Sequence, residues 1–340
     1  MRAFVVTGAG RGVVEDVPAP VPRAGEAVVE VDRVGVCGTD VEFFTGVMAY
    51  LHQGHAAYPL RLGHEWAGTV VETGPGVDQG WVGSRVTGDT MLGCGTCARC
   101  RSGRQHVCAD RYEIGIRGGW PGALAERLPV PVRALHRLPD TVDATAGALV
   151  EPGGNALRAV EGADLRPGDR LLVWGSGTIG MLCALFARRT GAQVHLAGVD
   201  PVTLALARDL GVDHVHDPGA SPEGPYDAVI DATYGADVPA RALDLVEPGR
   251  HVVYIGLAGE PSPIDTRTLV LKDVTAVGVL SASPGLAGAI DAYARGQVDP
   301  RPLVAATVGL DGVAAVLAGE RPEGSGPGPK VHVDPRIPPA

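Results

Sequence analysis

Residues 170–186 read RLLVWGSGTIGMLCALF: an apolar run, glycines at 175, 177 and 180, then an apolar stretch of helical length. No other feature limits the possible folds so strongly. In a Gly-x-Gly-x-x-Gly turn between strand and helix, the first glycine permits the turn and the second lets backbone approach a pyrophosphate. The third lets helix and strand pack, and the helix N-terminus favours negative charge. A lone match would say little, but here it opens a longer pattern. AQVHLAG, VTLALARDLG, HVHD, YDAVIDA, VPARALDLVEPG and HVVYIG alternate short strand cores with helical stretches. That alternation marks βαβ units around a buried parallel sheet, and right-handed crossovers make it a doubly wound α/β fold.

At 340 residues the chain is long enough for a second domain, since single cores rarely grow beyond about 250 residues. Up to about residue 150 it reads as short strands between Gly and Pro turns, as in AVVEVDRVGVCG, RLGHEWAGTVVETG and GSRVTGD. The grammar changes around Pro152, and after about Leu280 the composition becomes mixed again. There the loop GERPEGSGPGPK leads into a last strand, KVHVDP. With 49 Gly and 28 Pro against 4 Phe, 4 Trp and 7 Tyr, turns and small apolar side chains must define the packing.

A net charge of −10 and just two lysines, Lys272 and Lys330, argue against a nucleic-acid partner. Arg99, Arg101 and Arg104 form one local basic patch and read as a solvated surface. The apolar run 171–187 approaches the length of a membrane span, but its three glycines favour strand followed by helix. MRAFVVTGAG lacks the apolar core of a secretory signal. A cytoplasmic protein with no membrane partner is expected.

Four of the six cysteines, Cys94, Cys97, Cys100 and Cys108, follow C-x2-C-x2-C-x7-C. Two-residue spacers let successive thiolates turn onto one tetrahedral zinc, and four thiolates close its coordination, so such a site braces structure. An iron–sulfur cluster would carry its fourth ligand at a shorter interval, and disulfides are unusual in the cytoplasm. A second set of metal-binding types is dispersed: Cys37 in GVCGTDVEFF, His64 and Glu65 in LRLGHEWAG, Glu151 in VEPGGNAL. Cys183, amid Met, Leu and Ala, reads as an inert buried thiol. His52 and His55 read as loop residues.

Taken in order, CGTD, GHE, the four-cysteine lobe, EP and GSGTIG resemble the zinc-dependent medium-chain dehydrogenases of the alcohol dehydrogenase superfamily. Among these the chain is most similar to the sorbitol, threonine and glucose dehydrogenase branch. The resemblance implies a GroES-like, mainly β catalytic domain over 1–150 with a structural zinc lobe at 93–108. It also implies a Rossmann dinucleotide-binding domain over 151–285 and a return to the catalytic domain over 286–340. About two zinc ions per chain follow from it: a catalytic one on Cys37 and His64 with Glu65 and Glu151, and a structural one on the four cysteines. Asp40 would orient His64. Thr39 would meet the substrate oxygen, and Glu42, where many relatives carry His, could end a proton relay.

Around the cofactor the same resemblance places Gly175, Ser176, Gly177, Thr178, Ile179 and Gly180. It adds Asn155, Thr233, Gly256, Leu257, Leu280 and Ser281 near the nicotinamide. The acid that holds the adenosine ribose in NAD enzymes would fall at Gly198, where it is missing. Asp200 could substitute, and no Lys or Arg between Gln193 and Ala207 would bind a ribose phosphate. The residues favour NAD, with NADP open. The implied reaction is hydride transfer between a nicotinamide and a secondary alcohol or ketone of a polyol, sugar, cyclitol or aminosugar, possible in secondary metabolism. The implied assembly is a homodimer or homotetramer. The competing readings are a zinc-independent quinone-type reductase of the same superfamily and a zinc-binding interaction module.

Overall fold

Leu171, Leu172 and Val173 have no exposed surface, because their strand, Arg170–Trp174, lies inside a six-stranded parallel sheet. In this computed structural model, which describes residues 1–339, the sheet runs His214–Val215, Gln193–Ala197, Arg170–Trp174, Tyr226–Asp231, Val246–Tyr254, Thr275–Gly278. The chain builds outward from Arg170–Trp174 to one edge, then crosses to Tyr226–Asp231 and builds to the other. That reversal leaves a crevice at the carboxyl ends of the two central strands, the place where doubly wound folds bind ligands. Val229, Ile230, Val252 and Val253 are as buried as the first strand, as parallel strands covered on both faces require.

The stretch VPARALDLVEPG does not stay helical to its end: the helix is Val238–Leu245, and the strand Val246–Tyr254 starts immediately. Pro248 is the reason, since proline lacks the N–H a helix needs and biases its predecessor to extended backbone.

The chain folds as two compact units, and Pro152–Gly285 with Pro327–Pro329 forms the one just described. The other comprises Met1–Glu151, Leu286–Gly326 and the residues from Lys330 onward. Its seven-stranded sheet runs Val304–Val308, Lys330–Val333, Glu26–Gly35, Glu65–Thr73, Arg85–Gly88, Leu135–Arg137, with Arg127–Pro131 also paired to Glu26–Gly35. Phe43, Leu62, Trp66, Leu124 and Leu128 fill its core without exposure. The last strand, Lys330–Val333, lies parallel to Val304–Val308 and antiparallel to Glu26–Gly35. A small ladder, Met91–Leu92 with Tyr112–Glu113, brackets the four-cysteine loop. Among the described residues no helix is long and apolar enough to cross a membrane.

Candidate active site

Cys37 caps helix Gly38–Thr45, and His64 leads into strand Glu65–Thr73. One ligand atom from each of Cys37, His64 and Glu65 lies within 4.8 Å of the other two. Asp40, on the first turn of the helix, ties the segments together. Its carboxylate accepts from the Cys37 N–H at 2.9 Å and from the Gly63 N–H at 3.1 Å, and stands 3.6 Å from His64 Nδ1. Burial opposes charge on Asp40, but His64 and the two N–H donors outweigh it and hold its pKa below the ordinary carboxylate value. Burial likewise disfavours a charged His64, yet Asp40 and Cys37 raise its pKa well above that of a free imidazole.

Glu65 has a partner the sequence did not disclose. Lys330 Nζ donates to both its oxygens, at 2.7 and 2.9 Å, and to the Val36 carbonyl at 2.9 Å. Burial works against the ammonium, but Glu65 and Cys37 raise its pKa. The carboxylate reaches this position because residue 35 is glycine: a Cβ there would lie 2.2 Å from Glu65 Oε2. The signal for Lys330 was present, since a lysine opening the apolar strand KVHV must find an anion if it is buried.

Thr39 and Glu42 share helix Gly38–Thr45 three residues apart, which puts them on one side of it. Both are half-buried, and burial raises the Glu42 pKa. Glu151 is buried in the first turn of helix Val150–Gly162 and stands outside the Cys37, His64, Glu65 group. His52 bonds the Gly46 carbonyl at 3.0 Å and His55 packs edge-on against Tyr50.

The second cluster joins Cys94, Cys97, Cys100 and Cys108, again with ligand atoms within 4.8 Å. The sulfurs of Cys94 and Cys100 are 3.9 Å apart, and those of Cys97 and Cys108 3.8 Å. A tetrahedron with zinc–sulfur bonds of about 2.3 Å has edges of about 3.8 Å, so the thiols fit this ion. All six cysteines are free, which removes the disulfide reading. The N–H groups of Cys97 and Cys100 donate to Cys94 and Cys97 sulfur at 3.4 Å each. Such donors favour thiolate: Thr96, through its hydroxyl and its N–H, and then the Cys97 N–H lower the Cys94 pKa to about 6.

In the dinucleotide unit Gly175, Thr233, Gly256 and Ser281 each follow the carboxyl end of a strand. Gly175 follows Trp174 with φ +119°, and Gly177 caps helix Thr178–Arg188. A Cβ at Gly180 would lie 1.8 Å from the Gly175 carbonyl oxygen, whereas one at Gly177 would meet nothing within 4 Å. The third glycine thus serves packing, and the second leaves room for a ligand. Thr178 and Ile179 are half-buried in the first turn. Ser176 is buried and accepts from Thr203 Oγ1 at 2.8 Å. Its Oγ would lie 2.4 Å from a Cβ on Gly198, so an acid at 198 has no room.

Asp200 is already occupied as a helix cap, accepting from the Val202 N–H at 3.0 Å. Thr233 donates to Asp231 Oδ1 at 2.8 Å, and Gly256 packs so closely on it that a Cβ would lie 2.0 Å from the Thr233 carbonyl oxygen. Leu257 and Leu280 are exposed, by 74% and 43%. Ser281 is buried with φ +72°, a conformation uncommon for a residue with a Cβ. Arg158, unremarked in the sequence, donates to the Leu280 and Ser281 carbonyls and steadies that turn. Asn155 is half-buried in helix Val150–Gly162.

Known proteins share this fold. Residues 23–140 match the family described as alcohol dehydrogenase GroES-like domain, and residues 178–295 that described as zinc-binding dehydrogenase. An L-threonine 3-dehydrogenase of Sinorhizobium fredii is 32% identical over 326 residues, 92% of each chain. A putative zinc-binding dehydrogenase of Sinorhizobium meliloti, solved with NADP, is 28% identical with a TM-score of 0.88, covering 98% of this chain and 99% of that one. An alcohol dehydrogenase of Thermus sp. ATN1 is 27% identical with a TM-score of 0.87 over the same shares. These relationships, extending across both units, make the chain an NAD(P)-dependent member of the zinc-dependent medium-chain alcohol and polyol dehydrogenases.

Proposed function

We propose that the chain interconverts a secondary alcohol and ketone of a polyhydroxylated small molecule, a polyol, sugar, cyclitol or aminosugar. In this reading Cys37, His64 and Glu65 would hold the catalytic zinc, Glu151 would serve it directly or through water, and the four cysteines would hold the structural zinc. Zinc at the first site supplies Lewis-acid polarisation of the substrate oxygen, and the nicotinamide supplies or takes the hydride.

The chain's own residues do the rest. Asp40, 3.6 Å from His64 Nδ1, faces that side of the ring and leaves Nε2 for the ion. Lys330 offsets one of the two anionic donors and aims Glu65. Thr39 Oγ1 takes the proton of the substrate hydroxyl, and Glu42, on the same side of the helix, receives it at its carboxylate. Burial that raises the Glu42 pKa makes it a better proton acceptor. Gly175 to Gly180 offer backbone to the pyrophosphate, and Asp200 disfavours a ribose phosphate, so NAD is preferred over NADP.

Asn155, Thr233, Gly256, Leu257, Leu280 and Ser281 border the nicotinamide. Assembly as a homodimer or homotetramer is supported by Val270 and Leu271, exposed by 78% and 82% just before the edge strand Thr275–Gly278. The free thiols fit the reducing cytoplasm.

The observation that carries this reading is the meeting of Cys37, His64 and Glu65, from two separate segments, around one point. A panel of sugar alcohols, cyclitols and aminosugars, followed by the absorbance of reduced nicotinamide with each cofactor, tests it. Turnover of simple monoalcohols alone would overturn the substrate class.

A further inference from the structure

A cavity of about 380 Å³ lies in the catalytic unit, lined by Val5, Leu60, Arg61, Ile116 and Trp120, with Glu15 among its polar wall residues. None of the metal-site or dinucleotide-site residues named above lines it. Its size falls within the range of small-molecule pockets. Arg61 is the anomaly. It lies in YPLRLG between the half-buried Leu60 and the fully buried Leu62, where an apolar side chain would suit the surroundings.

Burial lowers the Arg61 pKa, with no neighbouring acid to counter it. Among the described residues its guanidinium has neither an ion-pair partner nor a hydrogen-bond acceptor. A guanidinium taken partly out of water without an anion is costly, and its planar fork of donors matches a carboxylate.

We propose that this cavity binds a small monocarboxylate with an apolar body. Arg61 grips the carboxylate, while Trp120, Ile116 and Leu60 cover the body. A single cation and the acidic Glu15 in the same wall disfavour a dianion such as a phosphate monoester.

The test is calorimetric titration of the full-length, zinc-loaded protein with 3-phenylpropionate, beside its neutral isostere 3-phenylpropionamide. Saturable binding of the acid at one site per chain is expected, with the amide weaker by about tenfold or more. Arg61→Met should cost about tenfold or more in affinity, while its thermal midpoint holds or rises because an unpaired, partly buried charge has gone. Arg61→Lys keeps the charge without the fork and should also bind more weakly, which carries the test if the methionine variant does not fold. In His64→Ala the acid should bind as in the parent, which separates this cavity from carboxylate capture by zinc. No saturable binding of the acid, equal binding of the amide, undiminished binding by both Arg61 variants, or loss of binding in His64→Ala would each overturn the proposal.

Discussion

Lys330 and Glu65, 265 residues apart in sequence, form a buried ion pair with both carboxylate oxygens within 2.9 Å of the ammonium. Each has a side-chain exposure of 4% or less. In the zinc-free protein Lys330→Met strands a carboxylate in the core, so it should cost about 3–5 kcal/mol in urea unfolding. Adding Glu65→Gln should restore part of that loss. Equal stability of Lys330→Met and the parent would mean that the pair contributes nothing.

The two zinc sites should separate by mutation. Elemental analysis of the parent should find about two zinc ions per chain. His64→Ala should retain about one and lose roughly three orders of magnitude or more in kcat/KM, as loss of a catalytic metal ligand implies. Cys100→Ser should also retain about one, but with a lowered thermal midpoint, because a closed zinc site contributes to folding.

The glycines of the strand-to-helix turn should differ sharply. Gly180→Ala drives a methyl into the Gly175 carbonyl and should destabilise the fold by about 2 kcal/mol or more. Gly177→Ala has open space around its Cβ and should shift stability by no more than about 0.5 kcal/mol. Its dinucleotide affinity should nonetheless fall, read as a raised KM for cofactor with kcat little changed.

Asp200→Asn isolates charge from capping, since asparagine caps a helix about as well as aspartate. The thermal midpoint should stay put while the preference for NAD over NADP shrinks, by about tenfold for one lost repulsion. Initial rates with both cofactors check this, and an unchanged ratio would remove Asp200 from cofactor selection.

His332 bears on acid stability. It is fully buried, and both ring nitrogens lack partners among the described residues. Burial first, then Lys330 and Arg33, lower its pKa to about 3. The unfolded chain takes up this proton near pH 6.5 and the folded chain only near 3, so stability falls as pH drops between those values. The contribution is on the order of 3 kcal/mol by about pH 4. His332→Leu should flatten this part of the stability profile in urea melts from about pH 7 to about pH 4.

The parallel sheet was legible in the sequence because Leu171 to Trp174, Gly175, Gly177 and Gly180 each carry their own physical requirement within a dozen residues. The four cysteines were legible for the same reason, as their spacing is local. Cys37, His64 and Glu65 could be read as a set only through resemblance, since nothing local brings residue 37 to residue 64. Lys330 and Arg158 were missed because their partners, Glu65 and the Leu280 and Ser281 carbonyls, are chosen by tertiary packing. Asp200 was read for its charge alone, although the following Pro201 marks it as a helix cap.

The strand Lys330–Val333 sets an order on biosynthesis. It is wedged between Val304–Val308 and Glu26–Gly35, so translation must pass residue 333 before the sheet that holds Glu26–Gly35 can close. Until then Glu65 has no ammonium to meet, and the nascent catalytic unit waits with an open seam. The dinucleotide unit, apart from Pro327–Pro329 drawn from a single continuous stretch, is free to fold first.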